Sequence, residues 1–309
     1  MHPDPDLSYG NLTGVLEVAR RAASQGLDLW LDIEYSDTWT DPGHQTKPLA
    51  WATLSLAALQ AQVENYTEAA VRALVDQSTP PAMVQIGNEI TIGMLWAPKG
   101  QPCNKGGYLG DSCGPNRNLN AFASLVAAGI RGARAAHPPT TIMIHTSQGS
   151  QLHWPSGPAI AAQWYRNLSD ALAAVNPPSH FDMVGLSFYP NWGAGNTSNI
   201  GRASAILDAL PSNVGLFVAE TAYPYSCDQL GAVSALATSG QFPCSPAGQL
   251  AYARSIIADT KALGPRARGV SWWGTEWVNG SGAGLTALWD REWTALPALL
   301  EGFKSEGER

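Results

Sequence analysis

The feature that most constrains this chain is a set of six short apolar runs, each bounded by turn residues and separated from the next by a stretch of helical periodicity. The runs are Leu27–Ile33, Met83–Ile86, Thr141–Ile144, Phe181–Phe188, Val214–Val218 and Gly269–Trp273. Their near-continuous hydrophobicity suits strands covered on both faces, as in a parallel sheet. Helical patterns fall at about 12–25, 53–76, 118–136, 158–174, 197–209 and 246–263, with a last one near 292–303. Strands alternating with helices build parallel βαβ units, which leaves a closed barrel or an open doubly wound sheet. No G-x-G-x-x-G or G-x-x-x-x-G-K-[ST] loop follows any run, which removes the usual reason for an open sheet. The expected fold is therefore α/β, a (β/α)8 TIM barrel, with residues 1–309 forming one domain.

A complete barrel of this kind has eight strands, yet six runs are visible, and the polar, Gly- and Pro-containing residues 1–11 leave no room for two more. The reading is a barrel that lacks its first two strands and first helix; strands hidden from a periodicity search are the competing explanation. Edges beside Leu27–Ile33 and Gly269–Trp273 would then be open.

Composition narrows the partners. A net charge of -7 and a pI near 5.3 repel nucleic acid and strongly acidic polymers alike, so a neutral substrate is favoured. No apolar run reaches the roughly 18 residues that a membrane span needs, so no membrane partner is expected. The twelve tryptophans either fill the core or offer flat indole faces to sugars; Trp39, Trp96, Trp192, Trp273 and Trp277 follow or end predicted strands, which favours carbohydrate for these. Four cysteines, Cys103 and Cys113, Cys227 and Cys244, bracket two Gly/Pro-rich loops. They allow three connectivities, of which the local one is favoured, and loop staples belong in an oxidising compartment. Sequons at Asn11, Asn65, Asn167, Asn196 and Asn279 also point to secretion, although residues 1–6 carry no signal peptide.

The chemistry is carried by two carboxyls. Val84-Gln85-Ile86-Gly87-Asn88-Glu89 is an apolar strand that delivers an amide and an acid at its C-terminal end, where barrel active sites lie. Leu216-Phe217-Val218-Ala219-Glu220-Thr221 repeats the design. Glycoside hydrolysis needs such a pair, one to protonate the leaving oxygen and one to attack carbon or activate water. A strand-end Glu is also commonly a salt-bridge partner, but no basic residue follows within several positions of either one. Asn88 is placed to hydrogen-bond a sugar hydroxyl beside the reacting carbon.

Several stretches resemble family 53 of the glycoside hydrolases, the endo-β-1,4-galactanases of the retaining clan A. They are Gly87-Asn88-Glu89-Ile90 with Gly93-Met94-Leu95-Trp96, then Glu220-Thr221, Ile144-His145, Gly185-Leu186-Ser187-Phe188-Tyr189-Pro190 and Gly269-Val270-Ser271-Trp272-Trp273. The most specific is Asp32–Pro48, which carries Asp32, Asp37 and Trp39. The resemblance covers nearly the whole chain and implies Glu89 as acid/base and Glu220 as nucleophile. It also implies that Tyr189 hydrogen-bonds the nucleophile and that Trp273 floors the cleaved sugar's subsite. His145 is expected to line the cleft or to be a core histidine, and Asp32, Asp37, Trp39 and Trp96 are expected to contact substrate.

Three departures stand out. Glu34 occupies the place where the family usually has His, Gly274-Thr275 precedes Glu276-Trp277 where Glu-Pro is common, and the clan arginine that steadies the nucleophile would belong to the missing front. Neither H-E-x-x-H nor an EF-hand loop is present, so no metal and no cofactor is expected. The reading is a secreted, monomeric enzyme that cleaves neutral galactan. Another clan A endo-glycanase, such as a mannanase or cellulase, and a sugar-binding barrel without catalysis are the alternatives.

Overall fold

The computed structural model describes residues 10–110, 113–114, 118–190, 195–227, 241–278 and 284–303. Helices and strands alternate in the order α1 (Leu12–Ser24), β1 (Trp30–Ile33), α2 (Leu56–Asp76), β2 (Met83–Ile86), α3 (Leu119–Ala136), β3 (Thr141–Thr146), α4 (Gly157–Ala174), β4 (Met183–Ser187), α5 (Ser204–Asp208), β5 (Gly215–Thr221), α6 (Pro246–Lys261) and β6 (Ala267–Trp272). The strands form one sheet in sequence order from β1 to β6. β1 runs parallel to β2 with Trp30 opposite Met83 and Ile33 opposite Ile86; β2 runs parallel to β3, and β5 to β6. Every residue of β4 is buried, as its apolar run anticipates.

Side-chain caps fix where the helices begin. Asn11 accepts from Gly14 N at 2.9 Å, Ser55 from Ala58 N at 3.3 Å and Asn118 from Ala121 N at 3.2 Å. Ser245 accepts from Gly248 N at 3.0 Å ahead of Pro246, whose missing N–H has no partner to lose at that position. The Ser55 cap explains why α2 starts later than position 53. Two expected helices are different. Residues Thr197–Ala203 form a 3₁₀ stretch that only then widens into the five-residue α5. Near the C-terminus, Trp289 bridges Ala295 in antiparallel fashion, and Leu296 N donates to Leu288 O at 2.9 Å. That return keeps the chain out of a helix up to Leu296, so that coiling begins at Pro297 and only Ala298–Gly302 forms a π-type turn.

The chain divides into two compact units, Met1–Thr146 with Arg166–Val184, and Ser147–Tyr165 with Gly185–Arg309. In the first, α2 and α3 pack at close range because of Gly132, where a Cβ would lie 2.3 Å from the Glu64 carbonyl oxygen. Arg131 clasps Glu64 at 2.6 Å on the same seam. In the second, the Arg266 guanidinium donates to the carbonyls of Leu207, Pro211 and Val214, tying the approach of β6 to that of β5. Tyr252 of α6 stacks on Tyr223 with centroids 4.7 Å apart. The structure pairs Cys103 with Cys113 and Cys227 with Cys244, the local connectivity. Asn279 and Trp192 lie outside the described residues.

The α2–α3 seam makes a prediction in which sign is decisive. Gly→Ala in an open helix stabilises by about 1 kcal/mol. At Gly132 the added methyl meets backbone, so Gly132→Ala should instead destabilise by about 1–3 kcal/mol in denaturant unfolding. A stabilised variant would contradict the close approach.

Candidate active site

In the first unit the polar residues gather at the carboxyl ends of β1, β2 and β3. β2 ends at Ile86, and Gly87, with φ +77, turns the chain; a Cβ there would lie 2.6 Å from Ile90 Cγ2. Gly87 N donates to Ile33 O at 2.9 Å, so the turn leaves from the end of β1's ladder. Glu89 itself sits in the left-handed region at φ 48, ψ 45, an uncommon conformation for a residue with a Cβ. Such a conformation persists where surrounding contacts impose it, and the neighbouring Asn88 supplies several. Asn88 Oδ1 accepts from His145 Nδ1 at 2.8 Å and from Gln85 Nε2 at 3.1 Å, and its Nδ2 donates to Thr40 O at 2.8 Å. Gln85 Nε2 also donates to Asp32 Oδ1 at 2.8 Å, which joins the ends of β1, β2 and β3 in one network.

The titration behaviour follows from burial. His145 is wholly buried, which pulls its pKa down to about 3, so the ring is neutral and Nδ1 carries the proton it gives to Asn88. Asp32 keeps a little solvent contact but is pushed up to about 7, chiefly by loss of water around it and then by the nearby charges of Glu34 and Glu89; the Gln85 hydrogen bond acts the other way. Glu34 is committed to the loop after β1, accepting from Thr40 N at 2.6 Å and Thr40 Oγ1 at 2.8 Å. It thus steadies the residue whose carbonyl receives Asn88 and raises the proton affinity of Asp32.

The other site candidates in this unit separate by exposure. Trp39 is 45% exposed and offers an indole face, whereas Trp96 is 3% exposed, packed against Gly107, and leaves almost no surface for a sugar. Asp37 accepts from Leu49 N at 2.7 Å and closes the loop that follows. His145, being buried, acts on Asn88.

In the second unit, β4 leads to Tyr189, β5 carries Glu220 and β6 leads to Trp273. Tyr189 Oη donates to Glu220 Oε2 at 2.8 Å. Phe188 N donates to Glu220 O at 2.8 Å, and the Phe188 carbonyl accepts from Thr221 Oγ1 at 2.6 Å, so the peptide before Tyr189 is pinned to β5. Tyr252 hydrogen-bonds that same threonine at 2.5 Å. The Trp273 ring meets Tyr189 edge to face at 6.4 Å and Trp277 at 4.9 Å, and Trp277 is 40% exposed. Gln85, Gln45, Thr40, Thr221 and Tyr252 were not among the residues singled out from sequence. A Gln inside an otherwise apolar strand is a signal for the first; nothing in the spacing of Tyr252 on its helix marks it.

Several known proteins are similar to this chain over most of its length. The family model described as glycosyl hydrolase family 53 matches residues 4–301. A probable arabinogalactan endo-β-1,4-galactanase A from Aspergillus fumigatus is 31% identical over 281 residues, covering 90% of this chain and 72% of that one. The arabinogalactan endo-β-1,4-galactanase of Thermothelomyces thermophilus is 31% identical over 274 residues, with 89% and 75% covered. Among solved structures, the family 53 catalytic domain of Ignisphaera aggregans superposes with a TM-score of 0.74 at 28% identity, over 94% of this chain and 77% of that one. A Cellvibrio japonicus xylanase at 15% identity and a TM-score of 0.63, covering 97% and 84%, shares the fold alone. The fold class is that of the TIM-barrel enzymes.

The two shifted groups predict a masked pH dependence. The raised Asp32 contributes stability that is complete below 3.8 and lost as pH climbs towards about 7. The lowered His145 contributes stability that is complete above 6.5 and lost as pH falls towards about 3. Between about 4 and 6.5 the slopes oppose each other. Asp32→Asn, which keeps an acceptor for Gln85, should therefore unmask a rise in stability with pH over that window, read from denaturation midpoints. Curves for the two proteins that stay parallel would contradict the assignment.

Proposed function

This chain belongs to glycosyl hydrolase family 53, and we propose that it cleaves internal β-1,4-galactosidic bonds of galactan with retention of configuration. Glu89 is the acid/base and Glu220 the nucleophile. The observation that carries the reading is the Tyr189–Glu220 hydrogen bond of 2.8 Å, set against a Glu89 that directly follows the anchored Asn88. A phenol donating to a carboxylate favours its ionised form, as a nucleophile requires. Asn88 spends one Nδ2 hydrogen on Thr40, and among the described residues no partner takes the second, which is available to the sugar hydroxyl next to the reacting carbon.

In the first step Glu89 gives its proton to the leaving glycosidic oxygen while Glu220 bonds to the anomeric carbon. In the second, Glu89 takes a proton from water, and that water displaces Glu220. Trp273 and Trp277, set against Tyr189, form an indole floor on which the apolar face of a galactosyl ring rests. Trp39, with an exposed indole, offers a further face to a sugar of the substrate. No cofactor enters this chemistry. The similarity to arabinogalactan endo-β-1,4-galactanases supports a pectic galactan as substrate, and the low net charge density of such a neutral chain suits a protein of charge -7. We place the enzyme outside the cell, acting as a single-domain monomer. The two disulfides support this, as do the exposed sequons at Asn65, Asn167 and Asn196.

The roles separate by variant. Glu220→Ala should abolish turnover on ordinary substrates, and azide should restore cleavage with inverted product. Glu89→Ala should lose about 100-fold or more on galactan, yet still release an activated phenol in the first step and stall at deglycosylation. Equal losses on both substrates, with no azide rescue in either variant, would mean that the pair is misassigned.

A further inference from the structure

We infer that Gln45 is a positioning residue for the acid/base, holding the Asn88–Glu89 peptide so that the Glu89 carboxyl meets the leaving oxygen. The inference rests on the reading of Glu89 given above. Gln45 is 1% exposed, and its Nε2 donates to the Asn88 carbonyl at 2.6 Å and to the Asp41 carbonyl at 3.0 Å. Both amide hydrogens are therefore spent on backbone oxygens, one of them in the peptide that enters Glu89. Its Oε1 is buried and has no partner among the described residues. A side chain selected for stability alone would not leave a carbonyl oxygen orphaned, since burying an unpaired acceptor is unfavourable. What the arrangement secures is the orientation of one peptide plane.

That plane matters because of the residue it precedes. Glu89 has a left-handed backbone at φ 48, so relaxing the turn to a more populated conformation would swing its carboxyl away from its present direction. The loop after β1 resists this from two sides. Thr40 O receives the Asn88 side chain, and Gln45 grips the Asn88 main chain. The loop is itself anchored beyond Glu89: Trp96 N donates to Gln45 O at 2.7 Å, and Lys47 N donates to Trp96 O at 3.0 Å. The two strand-end segments thus brace the turn that carries Glu89, and Gln45 reaches the peptide that enters it.

A misdirected acid should impair only those substrates that need protonation. The test compares kcat/KM of the protein and its variants on galactan and on aryl β-1,4-galactobiosides whose phenols span a range of acidity. Gln45→Met keeps the length and loses the donors. It should lower galactan turnover about 10–100-fold with little change in KM, leave the most activated aryl substrate nearly untouched, and steepen the leaving-group dependence. Gln45→Asn, too short to reach the Asn88 carbonyl, should show the same steepening and serves if the Met variant does not fold. Glu89→Ala is the reference. A folded Gln45 variant with unchanged slope, or with equal loss on every leaving group, overturns the inference while Glu89→Ala still steepens the slope. If Glu89→Ala does not steepen it, the acid/base reading and this inference fall together.

Discussion

The Asn88 side chain is the contact on which the acidic half of the site depends. One amide receives His145 and Gln85 on its oxygen and gives a hydrogen to Thr40, so the ends of β2 and β3 and the loop after β1 meet on one side chain. Remove it, and Gln85 loses one of its acceptors, the His145 proton loses its receiver, and the left-handed Glu89 loses the neighbour that fixes its entry. A buried network of this type is favourable only when nearly all of its members are satisfied. Here the exceptions are the carbonyl oxygens of Gln45 and Gln85, both on residues that use their amide hydrogens to orient others.

The second unit reaches a comparable result with different chemistry. Where Glu89 is governed through its backbone, Glu220 is governed through its carboxylate, by the phenol of Tyr189. Tyr189 in turn is fixed through the peptide before it, which β5 grips with Thr221 and with the backbone of Glu220 itself. The strand that carries Glu220 therefore places the residue that hydrogen-bonds its carboxylate. The proposed acid and the proposed nucleophile need unlike surroundings, and the immediate neighbours differ: the carboxyl of Asp32 near Glu89, a hydroxyl donor at Glu220.

Much of this was visible in sequence because parallel βαβ architecture writes itself plainly. Near-continuous apolar runs such as Met83–Ile86 and Phe181–Phe188 have few structural alternatives, and the residue after such a run is delivered to the strand's carboxyl end. Glu89 and Glu220 could be named for that reason, whereas Tyr189 and the subsite role of Trp273 were legible only through the family resemblance. Less visible was what lies behind them. The burial of Trp96 and His145 depends on loops arriving from elsewhere in the chain, such as the Gly107 turn, and strand periodicity says nothing of these. Glu34 stands out in sequence only as a carboxylate where the resembling family has His; in the fold it accepts from Thr40, a six-residue reach that no pattern announces. The segment near 292–303 has a helical pattern, but the Trp289–Ala295 bridge overrides it up to Leu296.

The central claim is that one carboxyl attacks the sugar while the other serves its leaving group, so that configuration is kept. The most direct measurement is proton NMR of the first reducing ends released from galactan, recorded before mutarotation. The account predicts that the β-anomer accumulates first and then decays toward the equilibrium mixture. Initial appearance of the α-anomer would contradict it, because water, and not Glu220, would then have attacked the anomeric carbon.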